Sequence, residues 1–431
     1  MLVLPSDNFG CGRFRSVWPH KFINEHYGDI FDIDILFELP KDKTLEEVFS
    51  KYDIIHVHKQ LDKNCQVIDM LKFLGKKVIV DVDDNPSLGS SHPMSLTAKK
   101  ERWAEPIYNH LKKADMVSTT TPLFAAECRK YNKNVRVFPN TIDPTAEQFI
   151  PKPTESKRMR FGLICGSSHL KDIELMEGMT AMLPQEIKDK MQIVLCGFDT
   201  NGTRTIYHQD TGEVERRQIE PEESVWCDYE KIVTDNYSIV DADQEAFLKK
   251  YIPQSNYDKD DVGYVRRWTL PIENYADHYN YIDVLLAPLR ENDFNKVKSQ
   301  LKLIEAGFFH KAAIVQNFGP YTIDGVSMIE KGGKINEDGN CLLVDSSKNH
   351  KQWAKYIKWC VEHPDMVHKM ADNLSETITK EYCTSKVAAK RVKEYIKLVG
   401  RENEFGDGSQ YFKEEIPEQD KPKVDIIPSL E

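Results

Sequence analysis

Short apolar runs alternate with longer amphipathic segments along most of the chain. The pattern is clearest at 281–321, where the apolar run Val284–Ala287 stops at Pro288 and a second run, Ala312–Val315, leads into Phe318-Gly319-Pro320. Apolar runs of about four to eight residues bounded by turn residues are typical of buried strands. Strand, helix and strand within this length predict one βαβ unit of a parallel sheet.

The helix predicted inside this unit, from about Ser299 to Phe309, has two different faces. Three apolar residues recur at helical spacing and predict the side packed on the sheet: Leu301, Ile304 and Phe308. Charged residues share another face: Lys298, Lys302 and Glu305. Ser299 stands where its hydroxyl and the free N–H groups of a helix N-terminus can meet an anion. This second face predicts either a site for a diphosphate and a ribose diol or a solvated surface.

The same alternation predicts two doubly wound α/β domains, at 1–150 and 159–384. Helices fit between the strands, for example at Lys99–Lys113. The strands predicted in the first domain are Leu2–Leu4, Asp32–Leu36, Ile54–His58, Lys77–Val82, Met116–Thr119 and Val135–Phe138. Those predicted in the second domain are Arg160–Cys165, Gln192–Gly197, Tyr264–Trp268, Val284–Ala287, Ala312–Val315 and Asn340–Val344.

Three stretches interrupt this alternation. The segment 151–158 is polar, contains two prolines and predicts a linker between the domains. The segment 199–261 is long, charged and aperiodic, which predicts an insertion in or beside a substrate site. The segment 401–431 carries three prolines and many acids, which predicts an extended or disordered tail.

Composition and charge limit the classes of protein that fit. A chain of 431 residues exceeds one ordinary domain. No apolar run approaches the ~20 residues of a membrane span, and the first residues lack the basic and apolar regions of a signal peptide. The nine cysteines are scattered without C-x-x-C pairs, so we expect a reduced, cytoplasmic protein. The net charge of −11 argues against broad affinity for nucleic acid.

Small and aromatic residues mark two further candidate positions. Gly10 and Gly12, followed by Arg13, come directly after the first strand, where glycines let the backbone approach a ligand. An ordinary strand-to-helix turn explains the same pattern. Tyr275 and Tyr279 lie one turn apart before the central unit, which predicts packing under the sheet or a stack on a nucleotide base.

An acidic string, Asp81-Val82-Asp83-Asp84, ends the strand Lys77–Val82. A carboxylate at this strand end could accept a proton from an acceptor hydroxyl. The same residues could instead cap the strand end or bind Mn²⁺ or Mg²⁺ as an Asp-x-Asp pair. His56 and His58 lie on one face of a neighbouring strand, but the sequence shows no further ligands for a zinc site.

Three strings within 283–321 resemble the nucleotide-sugar site of GT-B glycosyltransferases of the family-4 type: D-V-x-L-A-P-L, F-N-x-x-K-S-x-L-K-x-x-E and V-x-x-x-G-P-Y. Weaker matches lie at 137–143, V-F-P-N-T-I-D, and at the loop 166–172. The resemblance implies an α/β protein of GT-B architecture. Two doubly wound Rossmann-like domains would face a central cleft, with a crossover helix at 385–400.

The resemblance also implies roles for single residues. Glu305 would hold the ribose of a nucleotide diphosphate sugar. The other implied donor-binding residues are Gly10, Gly12, Arg13, Ser167, Lys298, Ser299 and Lys302, and the implied catalytic residues are Asp83, Asp84 and Lys171. The family commonly carries a second glutamate eight residues before the first, and this chain has Val297 there.

The resemblance therefore implies a glycosyltransferase that moves a sugar from a nucleotide diphosphate sugar to an acceptor hydroxyl. It implies retention of configuration and no essential metal or cofactor, with electrostatic stabilisation of the leaving diphosphate. The acceptor could be a glycan, a lipid-linked sugar, a protein or a modified DNA base. A nucleotide-sugar epimerase of the same fold and a non-catalytic scaffold are the alternatives, and the sequence leaves the sugar, the base and the oligomeric state open.

Overall fold

The computed structural model of the chain describes residues 1–413, except 60, 63, 91, 93, 209, 211–213, 235–262 and 348. The predicted insertion beyond residue 234 and the predicted tail beyond residue 413 therefore lie outside the described residues. None of the helices in the described part of the chain combines the length and the apolarity that a membrane crossing demands.

The chain folds into two compact units. Among the described residues, the first unit contains Met1–Pro144, Glu291–Ile304 and 379–413, and the second contains Thr145–Arg290 and Glu305–Ile378. The segment predicted as a linker lies in the second unit, where the Thr154 N–H and hydroxyl both donate to the Asn280 carbonyl, at 3.2 and 2.8 Å.

The first unit is built on a parallel six-stranded sheet in the order β2-β1-β3-β4-β5-β6. Its strands are Leu2–Leu4 (β1), Asp34–Ile35 (β2), Ile54–His58 (β3), Lys77–Val82 (β4), Met116–Thr119 (β5) and Val135–Val137 (β6). The strand bounds follow the apolar runs closely, because a parallel sheet covered on both faces buries nearly every strand residue. Apolar residues on opposite faces of β3, such as Ile54 and Ile55, accordingly join different core clusters.

Helices cover both faces of this sheet. A continuous helical segment follows β1, with a π-helical turn at Arg13–Val17 between Gly10–Gly12 and Trp18–His26. The other helices of the unit are Leu45–Phe49, Gln66–Phe73, Ser95–Lys100, Ala104–Lys113, Pro122–Cys128, Asp293–Lys296, Thr384–Leu398 and Glu402–Phe405, with a 3₁₀ turn at Ser409–Tyr411. In this described part of the predicted tail, Phe412 stacks on His26, with ring centroids 5.3 Å apart.

The second unit is built on another parallel six-stranded sheet, in the order β11-β8-β7-β12-β13-β14. Its strands are Met159–Ile164 (β7), Met191–Phe198 (β8), Tyr264–Trp268 (β11), Val284–Ala287 (β12), Ala312–Gln316 (β13) and Leu342–Val344 (β14). The predicted insertion begins with an antiparallel hairpin of Thr203–Tyr207 (β9) and Val214–Gln218 (β10).

The described helices of the second unit include two whose residues are divided between the units. The α-helices are Leu170–Ile173, Gln185–Lys188, Val225–Thr234, Tyr321–Asp324 and Asn349–Glu362, with Leu301–Phe308 and Pro364–Tyr382 shared between the units. The 3₁₀ turns are Glu147–Phe149, Glu174–Met176, Thr180–Met182, Pro221–Glu223 and Tyr275–Tyr281.

Two helices differ from the sequence-based expectation. The predicted helix Lys99–Lys113 is two helices, because Arg102 between them has a φ of +56°, a left-handed conformation that a helix interior does not contain. The predicted helix from Ser299 begins at Leu301 instead, and the preceding loop contains one helical turn at Asp293–Lys296, capped by the Asn292 side chain. Ser299 therefore lies ahead of the helix N-terminus.

An ion pair lies at the centre of the first unit, on the face of the sheet that carries the helix Trp18–His26. Arg15 and Asp81 are both fully buried, and two parallel hydrogen bonds of 2.8 Å join the guanidinium to the carboxylate. Burial raises the pKa of Asp81, but Arg15 outweighs it and holds the pKa at about 2, below the ordinary 3.8. Arg15 also donates to the Phe138 carbonyl and the Asn140 side chain. The pair ties the first helix to two strands.

We expect Asp81→Asn to lower the free energy of unfolding by about 3–5 kcal/mol, because Arg15 would remain buried without its ionic partner. Urea unfolding at pH 7 measures this change. Glu127→Gln is the matched control, since Glu127 pairs with Lys130 on the surface of the same unit and such pairs contribute at most about 1 kcal/mol. A loss below about 1 kcal/mol in Asp81→Asn would contradict a structural role for the pair.

The same pair predicts a pH dependence. The folded-state pKa of Asp81 lies below its unfolded value, so the stabilisation is complete above about pH 4 and is lost as the pH falls through about 2. The difference in stability between the wild type and Asp81→Asn should therefore shrink within that range.

Candidate functional site

The carboxyl ends of β7, β12 and β13 lie side by side in the second unit. Ligands of doubly wound sheets bind outside such ends. The segment after β7 includes three exposed residues, Gly166, Ser167 and Ser168. Tyr321 follows β13 and is buried. Burial raises the pKa of Tyr321 most, and the nearby carboxylates of Asp172 and Glu305 raise it further. The segments after β7 and β13 therefore lie at one end of the sheet, and Glu305 lies close enough to Tyr321 to affect its pKa.

Glu305 is a buried carboxylate, only 3% exposed, and not part of a solvated face. Tyr275 donates its hydroxyl proton to Oε1, and Tyr279 donates its own to Oε2 at 2.7 Å. Burial and the Glu305 charge both raise the pKa of each tyrosine, so the two hydroxyls remain donors. One carboxylate is thus oriented by a separate hydrogen bond to each oxygen.

Aromatic packing holds both tyrosine rings. Tyr279 stacks on Phe309, with centroids 5.2 Å apart and planes at 23°. Tyr275 meets Phe149 edge to face at 6.3 Å. The sequence left these tyrosines between packing and a stack on a nucleotide base. Tyr279 packs in the interior, and both additionally bind Glu305, which lies 26 and 30 residues further along the chain.

The loop after β7 is held by neighbouring side chains. The Tyr229 hydroxyl donates to the Gly166 carbonyl (3.1 Å) and accepts from the His169 N–H (2.9 Å). His169 Nδ1 lies 2.8 Å from an Asp172 oxygen, and the other Asp172 oxygen accepts from the Arg290 N–H at 2.8 Å. These bonds join the loop after β7 to the chain after β12.

Lys171 and Ser167 stand on the outside of this loop. Ser167 is exposed, and the exposed Lys171 ammonium donates to Glu174 at 2.7 Å. Exposed pairs of this kind are weak, so the ion pair leaves Lys171 able to exchange Glu174 for an anionic ligand. The role of Lys171 in phosphate binding stays a prediction.

In the first unit, Gly10, Gly12 and Arg13 are helical and do not form a loop. The Asp7 carboxylate accepts from the Phe9 and Gly12 N–H groups, at 2.9 and 3.0 Å, and caps this helix. A Cβ on Gly12 would lie 1.9 Å from the Asp7 carbonyl oxygen. The chain itself therefore requires the second glycine, in agreement with an ordinary strand-to-helix turn, and the donor-binding role of these residues stays a prediction.

Asp83 lies in a cluster of polar groups at the carboxyl end of β4. His58 Nε2 is 3.2 Å and Lys59 Nζ is 3.4 Å from its Oδ1. Burial raises the pKa of Asp83, but Lys59 and His58 outweigh burial and hold it well below its usual range. His58 Nδ1 in turn lies 2.8 Å from the Ser6 hydroxyl, which donates to Asp7. Asp83 is therefore a permanently ionised carboxylate with fixed partners.

Asp84 has the opposite electrostatic character. Burial raises its pKa, Lys298 lowers it, and the neighbouring Asp83 charge adds to the rise, so that the net shift is upward. Two adjacent carboxyl groups whose surroundings drive their pKa values apart are suited to different roles in proton transfer. Of the two, Asp84 is the one able to exchange a proton nearer to neutral pH.

Cys11 is the third member of this cluster. One ligand atom from each of Cys11, Asp83 and Asp84 lies within 4.8 Å of the others, a grouping that could hold a metal ion. Asp83 and burial both raise the pKa of the Cys11 thiol far above its ordinary value. A protonated thiol is a poor metal ligand, so the residues fit a metal only if it displaces that proton. The two aspartates reach the same place, although neighbouring side chains on an extended strand point in opposite directions.

The segment before the helix Leu301–Phe308 belongs to the first unit. The Ser299 hydroxyl accepts from the Asn140 side chain at 3.1 Å, and Lys298 lies near Asp84. Lys302 is partly exposed. Val297 is 2% exposed and packs in the core beside the strands, so this position serves packing where the family pattern has a glutamate.

Sequence patterns missed several of these residues. His58 was considered only for a zinc site, and Cys11 and Lys59 were not singled out, although His58 ends β3 and Lys59 follows it, beside β4. A cavity of about 340 Å³ in the same unit was also not predicted. It opens at the opposite, amino end of the strands, between Met1, Asp34 and Ile54, and contains none of the candidate residues.

No protein-family model matches this chain, and neither does any curated protein. The fold is similar to that of Anabaena Alr3699/HepE in complex with UDP, with a TM-score of 0.52 and 12% identity over 88% of each chain. It is also similar to sucrose-phosphate synthase from Thermosynechococcus elongatus, with a TM-score of 0.52 and 16% identity over 84% of this chain and 81% of that chain. These likenesses, together with the two parallel sheets, confirm the predicted GT-B fold.

Proposed function

We propose that this protein is a glycosyltransferase that moves a sugar from a nucleotide diphosphate sugar to an acceptor hydroxyl, with retention of configuration and without an essential metal. The observation that carries the proposal is Glu305. It is a buried carboxylate whose two oxygens are each oriented by a hydrogen bond, and it lies near Tyr321, which follows β13. The Anabaena protein of the same fold has been solved with UDP and with UDP-glucose, which supports a nucleotide sugar as the donor.

The donor would be held by the second unit. Glu305 would accept the hydroxyls of the ribose, and Lys171, with the exposed backbone at Ser167, would meet the diphosphate. Lys298, Ser299 and Lys302 remain predicted donor contacts. The leaving diphosphate gains negative charge as the glycosidic bond breaks, so cations and N–H donors that are already in place lower the barrier.

The acceptor would react at the first unit. Asp84 would take the proton of the acceptor hydroxyl, since a general base works best when its pKa lies near the working pH. Burial and, to a smaller extent, the charge of the ionised Asp83 raise the pKa of Asp84. Asp83 would therefore act through Asp84. This division of work explains why two adjacent carboxylates have such different surroundings.

We expect Glu305→Ala and Glu305→Gln to weaken nucleotide-sugar binding roughly ten- to a hundredfold, because a hydrogen bond to a charged group contributes about 1.5–3 kcal/mol. Calorimetry with a panel of nucleotide sugars measures the affinity, and circular dichroism verifies the fold. Glu330→Gln, at an exposed position of the same unit, is the control. Unchanged affinity in folded Glu305 variants would remove this residue from the site.

Asp84→Asn should keep the donor affinity and lose roughly 10²–10⁴-fold in turnover, the range for a general base. Release of free nucleotide in the presence of acceptor measures turnover. The control is Glu105→Gln, since Glu105 is an exposed carboxylate of the same unit, is paired with Arg102 and lies outside the cluster. Normal turnover of folded Asp84→Asn would show that the cluster is structural.

Activity should persist in excess EDTA, because lysines and backbone N–H groups supply the positive charge that a metal would otherwise bring. The measurement is nucleotide release with and without the chelator. A different result would assign the Cys11–Asp83–Asp84 cluster to a metal ion. The chelator would abolish activity completely, Mn²⁺ or Mg²⁺ would restore it in the wild type, and neither ion would restore it in Asp83→Asn.

A further inference from the structure

Two hydrogen bonds to Glu305 come from one short element. Tyr275 and Tyr279 both lie in the 3₁₀ turn Tyr275–Tyr281, and each hydroxyl takes a different oxygen of the carboxylate. A single hydrogen bond leaves a carboxylate free to turn about the last bond of its side chain. Donors on both oxygens fix the plane of the group, and the packing of the two rings against Phe149 and Phe309 fixes the donors.

A ribose diol makes a particular demand on a carboxylate. Its two adjacent hydroxyls donate to two oxygens at once, so the plane of the carboxylate has to match that of the diol. An ionised carboxylate offers about four lone-pair sites, so it can accept from several donors at once. A carboxylate held in one plane meets the diol without losing rotational freedom on binding.

We infer that Tyr275 and Tyr279 are positioning residues that set the Glu305 carboxylate for the 2′- and 3′-hydroxyls of the donor ribose, so that the site discriminates ribonucleotides from 2′-deoxyribonucleotides. The inference rests on the proposed function, because it takes Glu305 as the ribose contact. The tyrosines act through Glu305 and not on the sugar being transferred.

The test uses the whole chain and calorimetry. UDP, ADP and GDP are titrated into the wild type, and the nucleotide that binds most tightly is compared with its 2′-deoxy form. The same two titrations are made on Tyr275→Phe and Tyr279→Phe, each of which removes one of the two hydroxyl groups that donate to Glu305. Tyr281→Phe is the matched control, because Tyr281 ends the same 3₁₀ turn but its ring packs on the Arg267 guanidinium, 3.2 Å from the ring centroid.

In the wild type we expect the deoxy form to bind at least roughly tenfold more weakly, the loss of one hydrogen bond to a charged group. Tyr275→Phe and Tyr279→Phe should each weaken the ribonucleotide about three- to tenfold and bring the ratio of the two affinities toward one. Tyr281→Phe should leave the ratio unchanged.

The readout separates positioning from stability. If the tyrosines only stabilise the fold, their variants will melt at a lower temperature and weaken both nucleotides equally, and the unchanged ratio would overturn the inference. If Glu305→Gln abolishes the discrimination while both tyrosine variants retain it, the inference fails and the proposed function stands. If no nucleotide binds to the wild type, the proposed function fails and the inference fails with it.

Discussion

The burial of charge is the constraint on which both units depend. A charge in the interior is tolerated only with a partner and well-formed hydrogen bonds, because its hydration is lost. In the first unit, Arg15 and Asp81 satisfy each other and tie a helix to the sheet. In the second unit, Arg266 and Glu230 form a buried pair of the same kind, which the Tyr264 hydroxyl extends at 2.6 Å. These pairs determine which side chains can lie around them.

The position of these charges follows from the parallel sheets. Side chains near the middle of the strands are apolar because both sheet faces are covered. Polar groups can approach only near the strand ends, where loops supply N–H donors and further side chains. Asp81 is the next-to-last residue of β4, and Asp83 follows directly after its end. The structural pair and the candidate catalytic residues are therefore neighbours for one reason, the geometry of the strand end.

Local patterns in the sequence were sufficient for most of the fold. The bounds of β3, β4, β5, β11 and β12 agree with the apolar runs, since a buried strand and its apolar run are nearly the same thing in a parallel sheet. The break at Arg102 was not predicted, because a left-handed residue other than glycine leaves no local signal. The start of the helix at Leu301 was misplaced by two residues, since Ser299 binds Asn140 and does not cap that helix.

The candidate site was less predictable, because its contacts join residues far apart in the chain. Lys298 and Glu305 share a helical spacing, which suggested one binding face, but Lys298 lies near Asp84 and Glu305 lies under two tyrosines. The hydrogen bonds to Glu305 span 26 and 30 residues, and those between Arg15 and Asp81 span 66. Helical spacing identifies residues on one face, but it does not reveal what covers that face.

Val297 makes the orientation of Glu305 by Tyr275 and Tyr279 more important. A helix with two glutamates can share the recognition of a donor between them, but Val297 is committed to the core of the first unit. Under the proposed function, donor recognition by this segment would depend on the Glu305 carboxylate alone, and any rotational freedom that this carboxylate lost on binding would lower the affinity. A buried Glu305 held at both oxygens is the arrangement that loses least on binding. The same hydrogen bonds that make the burial of Glu305 tolerable thus keep it in one orientation, so its structural role and its proposed binding role would coincide in one residue.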